Sequence, residues 1–241
     1  MKALVLAGGF AKRMWPLTND RPKSLLPIRG KPLLEYVLKK LEPLDIDQIY
    51  ISTNSRFEKE FALFLQTYRS SKLIKLVVEP SNSEDHKFGA VKGIEFAIDQ
   101  EKIAEPLIVI NGDNLFDAGL FGLLVNYKKH KSPVVGLYDV KSLGLAKNLG
   151  VAETNAEGRI ISFIEKPEHP KSSLISTGIY IFTVPAIQKI PEYLRSNHGD
   201  RSGDFIKWLS EKTPVFSWIV PGKWYDIGSH QEYERAEKEW E

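Results

Sequence analysis

The chain has 241 residues, 42% of them hydrophobic, and carries 33 Lys plus Arg against 31 Asp plus Glu for a formal net charge of +2. That is enough apolar material for one large core, and it is too close to neutral for a general attraction to nucleic acid. No cysteine is present, which excludes a disulfide framework, a thiolate metal site and a cysteine nucleophile.

Short Val/Ile/Leu runs ending in turn residues alternate with segments of helical period. The first strand is expected at Ala3 to Leu6 and the first helix at Leu33 to Leu41. Strands at Gln48 to Thr53, Ile74 to Val78 and Leu107 to Asn111 follow, separated by helices at Phe57 to Tyr68 and Ala90 to Asp99. Their nearly uniform apolarity suits a sheet buried on both faces, the pattern of an α/β protein. Beyond residue 133 strands are expected at Val134 to Val140, Val151 to Glu153, Ile160 to Glu165 and Gly178 to Phe182, with Asn155-Ala156-Glu157-Gly158 as a hairpin turn. A helix at Asp204 to Glu211, a strand at Val215 to Ile219 and a helix at Gln231 to Trp240 complete the pattern. No repeat or linker interrupts it, so one domain spanning 1–241 is expected. No stretch reaches the roughly 20 apolar residues of a membrane span, and the amino-terminal apolar run is too short for a signal peptide.

Chemistry concentrates in three places. The first strand runs into Ala7-Gly8-Gly9-Phe10-Ala11-Lys12-Arg13, then Pro22-Lys23-Ser24-Leu25-Leu26-Pro27 and Lys31. Glycines let backbone N–H groups approach phosphate oxygens, and nearby cations neutralise them, although Gly8-Gly9 alone also suits an ordinary strand-to-helix turn. Neither a dinucleotide fingerprint nor a P-loop is present. The second place is Asn111-Gly112-Asp113-Asn114, an acid just past the carboxyl end of a buried strand, where open α/β sheets bind ligands. An Asp there also serves as an ordinary helix cap. The third comprises Phe163-Ile164-Glu165-Lys166-Pro167 and Lys223-Trp224-Tyr225-Asp226-Ile227-Gly228. The five histidines show no zinc-ligand spacing, and no G-x-S-x-G elbow marks a hydrolase.

In this order, the segments from Leu6 to Pro32, around Asp113, at Glu165-Lys166-Pro167 and at Trp224-Tyr225-Asp226 resemble the sugar-1-phosphate nucleotidyltransferases, the pyrophosphorylase family that makes nucleotide sugars. The resemblance implies a Rossmann-like nucleotidyltransferase fold: a mixed, mostly parallel central sheet flanked by helices, with a smaller antiparallel sugar-binding extension. It also implies transfer of a nucleotidyl group from a nucleoside triphosphate to a sugar 1-phosphate, with Mg²⁺ held by Asp113 and Asp226, and a cytoplasmic location. Arg13, Lys23, Asp113 and Asp226 would be catalytic. Leu6, Ala7, Gly8, Gly9, Lys12, Glu79, Gly89 and Asp113 would bind the nucleotide, and Gly150, Glu165, Lys166, Thr177 and Tyr180 the sugar phosphate.

The chain departs from the family pattern where G-x-G-T-R is usual and Gly9-Phe10-Ala11-Lys12-Arg13 stands instead. Ala11 puts the tightest turn in question, and Lys12 offers a phosphate contact in place of a hydroxyl. Glu79 as a pure acceptor leans toward guanine, with uracil and thymine open. The sugar, too, is open. Many family members carry a carboxyl-terminal β-helix, and from the end of this sequence a minimal catalytic domain is expected. A homo-oligomer is compatible with all of this. Two rivals stand beside this reading: a non-catalytic regulatory homologue, and a nucleotidyltransferase for another acceptor such as a molybdopterin or a phosphocholine.

Overall fold

A computed structural model describes residues 1–240. Its strands are β1 (Lys2–Leu6), β2 (Pro27–Ile28), β3 (Lys31–Pro32), β4 (Gln48–Asn54), β5 (Leu73–Glu79), β6 (Leu107–Asn111), β7 (Asn114–Phe116), β8 (Val134–Asp139), β9 (Gly150–Thr154), β10 (Ile160–Glu165), β11 (Leu174–Phe182), β12 (Phe216–Ile219) and β13 (Trp224–Asp226). Its helices are α1 (Leu33–Leu41), α2 (Glu58–Thr67), α3 (Ala90–Glu101), α4 (Phe121–His130), α5 (Leu143–Ala146), α6 (Val184–Gln188), α7 (Ile190–Leu194), α8 (Ser202–Lys212) and α9 (His230–Glu239). None of the described helices is long and apolar enough to cross a membrane.

One sheet of nine strands organises the molecule, ordered β10-β9-β11-β6-β1-β4-β5, with β8 pairing β11 and β12 pairing β8. The half β6-β1-β4-β5 is parallel, as the uniformly apolar runs require. Ala3, Leu4 and Val5 are fully buried, as are Ile108, Val109 and Ile110, and two core clusters cover opposite faces. From β11 onward most of the pairing is antiparallel, so the antiparallel extension continues the central sheet rather than forming a separate one.

A second ladder matters more for the site. β7 and β13 pair antiparallel, Asp226 opposite Asn114, and the Ile227 N–H donates to the Asp113 carbonyl at 3.1 Å. Trp224 pins the pair by donating Nε1–H to Asn114 Oδ1 at 2.6 Å. These contacts bring together two acids from distant parts of the chain.

Several elements differ from expectation. β11 begins four residues early, at Leu174, because Ser176 and Thr177 break the apolar run while Leu174, Ile175 and Ser176 still pair with β8. α4 has no strong apolar face in sequence: Phe121 and Val125 are exposed, Leu123 is buried in the core, and Gly122 abuts Trp218, where an added Cβ would lie 2.3 Å from Nε1. The three-residue strands β7 and β13 are too short for any periodicity to announce them.

Candidate active site

The carboxyl ends of β1 and β6 open onto the site. β1 releases the chain at Ala7, whose N–H donates to the Ser52 carbonyl at 2.8 Å, and Asn54 Nδ2 donates to the Gly8 carbonyl at 2.9 Å. The loop is thus tied to β4 while Gly9 stands in open space. Ala11 takes the left-handed conformation, φ 50° and ψ 42°, and Thr18 Oγ1 donates to its carbonyl at 2.9 Å. The tight turn survives without glycine, at the steric cost of a Cβ in that region. A short helical turn then presents Lys12 and Arg13 outward while Met14 is buried beneath them.

Lys23 reaches across to Asp113, Nζ to Oδ2 at 2.6 Å. Burial works against its charge, but Asp113 and Asp226 together outweigh that penalty and hold the ammonium above its ordinary pKa. Asp226 is raised as well: burial first, then the charge of Asp113, lift its carboxyl well above the ordinary range, with Lys23 and Arg13 pulling it down. A second positive charge between the two acids would relieve this strain. The donor set also fits a hard divalent cation, since both groups are carboxylates and phosphates plus water would complete the shell.

A cleft of about 760 Å³ extends from these acids. Arg13, Asp113, Asp226, Gly150, Glu165, Lys166, Thr177 and Tyr180 all line it. Lys166 adopts φ 50°, a conformation rare outside glycine that here turns the chain sharply after Glu165. Burial, then Asp204, raises the Glu165 pKa, with Arg201 and Lys166 opposing. Among the described residues none donates a hydrogen bond to this carboxylate. Thr177 and Tyr180 form the floor, with their hydroxyls already engaged. Thr177 Oγ1 donates to the Gly136 carbonyl at 2.8 Å, and the Tyr180 hydroxyl lies 3.1 Å from Ser176 Oγ and 2.9 Å from Ser202 Oγ.

The other expected nucleotide residues, Leu6, Ala7, Gly8, Gly9, Lys12 and Glu79 with Lys23 and Gly89, do not line this cleft. Glu79 ends β5 only 4% exposed, accepts from Ser52 Oγ at 2.6 Å, and abuts Gly8 and Gly93, where added Cβ atoms would sit 3.0 and 2.8 Å from its oxygens. Burial lifts its carboxyl to about 7. Gly89 has a packing reason for being glycine, because a Cβ there would lie 2.3 Å from the Asp200 Cα. That close approach lets Ala90 and Val91 N–H donate to the Asp200 and Gly199 carbonyls.

The structure adds residues the sequence did not single out. Asn111 lines the cleft and holds Gly178 at φ +77°, where a Cβ would lie 2.3 Å from Asn111 Nδ2. Arg201, Ser202 and Gly203 enter at the start of α8, and Arg235 from α9. Only Asn111 carried a signal, standing two residues before Asp113.

The family model described as "Nucleotidyl transferase" matches residues 2–241. The chain belongs to the nucleotidyl transferase family. It is 33% identical to the bifunctional protein GlmU of Methanocaldococcus jannaschii over 95% of its own length and 51% of that protein's. It is 30% identical to the UTP-glucose-1-phosphate uridylyltransferase AglF of Haloferax volcanii over 99% of its own length and 96% of that protein's. Against mannose-1-phosphate guanylyltransferase 1 of Arabidopsis thaliana the figures are 28%, 97% and 63%. The chain thus spans about half to two thirds of several relatives and nearly all of another. A solved Bacillus anthracis structure, described provisionally as a glucose-1-phosphate thymidylyltransferase, superposes with a TM-score of 0.86 at 28% identity, covering 99% of this chain and 94% of that one.

Proposed function

We propose that the chain transfers a nucleotidyl group from a nucleoside triphosphate to a sugar 1-phosphate, releasing pyrophosphate. The observation that carries this is one cleft with two converging carboxylates, Asp113 and Asp226, at one end and an undonated carboxylate beside a cation, Glu165 and Lys166, at the other. The relatives support it, since uridylyl, guanylyl and provisionally thymidylyl transferases stand among them.

A phosphate monoester has a second pKa of roughly 6, so the acceptor arrives ionised and needs no protein base. Its oxygen attacks the α-phosphorus, and the bond to the β-phosphate oxygen breaks with its electron pair leaving on pyrophosphate. Catalysis is then alignment and charge neutralisation. Lys166 holds the acceptor phosphate and Glu165 accepts hydrogen bonds from sugar hydroxyls. Lys23, kept protonated by its two acids, neutralises the α-phosphate. Arg13, with Lys12, takes the charge of the departing pyrophosphate, while Gly8 and Gly9 leave backbone room for the phosphates. Asp113 and Asp226 would hold Mg²⁺, which supplies Lewis-acid polarisation of the phosphoryl oxygens. Gly150, Thr177 and Tyr180 shape the sugar floor.

The base would lie along Leu6, Ala7 and Gly89, and Glu79, buried behind Gly8 and Gly93 and bonded to Ser52, would meet it only if uncovered. An ionised Glu79 only accepts and pairs with the two adjacent N–H donors of guanine. A protonated one also donates and pairs with uracil or thymine. The deciding experiment measures pyrophosphate release with Mg²⁺ across nucleoside triphosphates and the 1-phosphates of glucose, mannose and glucosamine, with Asp113→Ala as control. One strong pair lost in the variant is the expected result. A blank grid despite nucleotide binding would overturn the reading and favour the regulatory or other-acceptor alternatives.

A further inference from the structure

Two glycines from different elements pinch one oxygen of Glu165. A Cβ on Gly150 of β9 would lie 2.8 Å from Glu165 Oε2, and a Cβ on Gly203 of α8 would lie 2.1 Å from the same atom. The ring of Phe163 closes the slot, 2.7 Å from the Gly150 position and 3.2 Å from that of Gly203. Such separations are far inside van der Waals contact, so either substitution forces the carboxylate to move. The start of α8 is itself anchored to the cleft floor, because Ser202 Oγ meets the Tyr180 hydroxyl at 2.9 Å. It is anchored as well to the first turn of α3 by the Ala90 and Val91 hydrogen bonds to residues 200 and 199. The helix cannot simply retreat from an added methyl.

We infer that Gly203 is a positioning residue for the acceptor: by lacking a side chain, it sets where the Glu165 carboxylate stands in the cleft. Glu165 has no hydrogen-bond donor among the described residues, so beside the charges of Arg201, Lys166 and Asp204 it is packing that holds its rotamer, and the glycine slot is that packing. A Cβ at Gly203 displaces the oxygen into the cleft, toward the space a sugar hydroxyl needs. The inference rests on the acceptor reading proposed above.

The test compares steady-state constants of Gly203→Ala in two backgrounds, wild type and Glu165→Asp. In the wild-type background the KM for the sugar 1-phosphate should rise about tenfold or more. The KM for the nucleoside triphosphate should stay within about twofold, as the nucleotide side is untouched. In the Glu165→Asp background the shorter carboxylate leaves room for the methyl, and the same substitution should change the acceptor KM less than about twofold. An unchanged acceptor KM in the wild-type background, or an equal penalty in both, overturns the inference. If Gly203→Ala does not fold, recovery of folded protein in the double variant supports the slot, and a double variant that also fails overturns it. Wild-type protein inactive with every sugar 1-phosphate would instead defeat the acceptor reading, and this inference with it. Activity in wild type together with a flat acceptor KM defeats the inference alone.

Discussion

Replacing Glu79 with Gln removes a buried acid whose carboxyl, among the described residues, has no ion pair to a cation. Its carboxyl, ordinarily near 4.5, is lifted to about 7 by burial, while the Ser52 hydrogen bond opposes the shift only partly. For an acid whose folded pKa lies above its unfolded one, the associated stability is fully present below the unfolded value and is lost as pH rises through the folded value. The wild-type protein should therefore lose stability between pH 4.5 and about 7 from this group alone, by about 3 kcal/mol at about 1.4 kcal/mol per pH unit. Glu79→Gln, which does not titrate, lacks that loss. Urea unfolding of both proteins from pH 4 to 8, read as the difference between them, isolates the group from every other titration. The variant should gain on wild type by about 3 kcal/mol across the window, whatever constant offset its amide introduces. A difference flat to within about 1 kcal/mol would refute the reasoning and place an ionised, well-solvated carboxylate at this position.

Ala11→Gly should relieve the left-handed Cβ, stabilising the protein by about 1 kcal/mol and raising Tm by about 2–4 °C in a scanning measurement, with turnover undiminished. Asp113→Ala should lower kcat about 10³-fold in the pyrophosphate-release assay while the circular dichroism spectrum stays that of the wild type. Chelating divalent cations should abolish turnover yet leave the Tm of the ligand-free protein within about 1 °C, since among the described residues no group of three or more His, Asp or Glu side chains could close a structural metal shell.

The parallel half of the sheet was legible because uniformly apolar runs such as Ile108 to Ile110 have one good explanation, burial on both faces. The motifs were legible because local sequence chemistry carries them: Gly8-Gly9 with Arg13, and Glu165-Lys166 at a strand end. What stayed hidden depends on contacts between distant segments. α4 buries Leu123 and sets Gly122 against Trp218, and nothing in its own residues announces that second contact. The hydroxyls of Thr177 and Tyr180 look available in sequence, yet both are engaged within the fold. Gly89 reads as a phosphate or base contact, but its missing Cβ makes room for the backbone of Asp200. Gly203 drew no attention at all, because its neighbour Glu165 lies in another element.

The two-stranded ribbon of β7 and β13 has a consequence for how this fold tolerates change. Side chains alternate along a strand, so a slip of one residue in that ribbon would turn Asp226 to the opposite face from the one Asp113 meets. The separation of the two acids is therefore written in a register of three residue pairs and owes nothing to the length of chain between them. The intervening hundred or so residues, which supply Gly150, Glu165, Lys166, Thr177 and Tyr180 to the cleft, can be lengthened, trimmed or reshaped while the spacing of the two acids stays constant. The far end of the cleft and the pair of acids can in this way vary independently on a single fold.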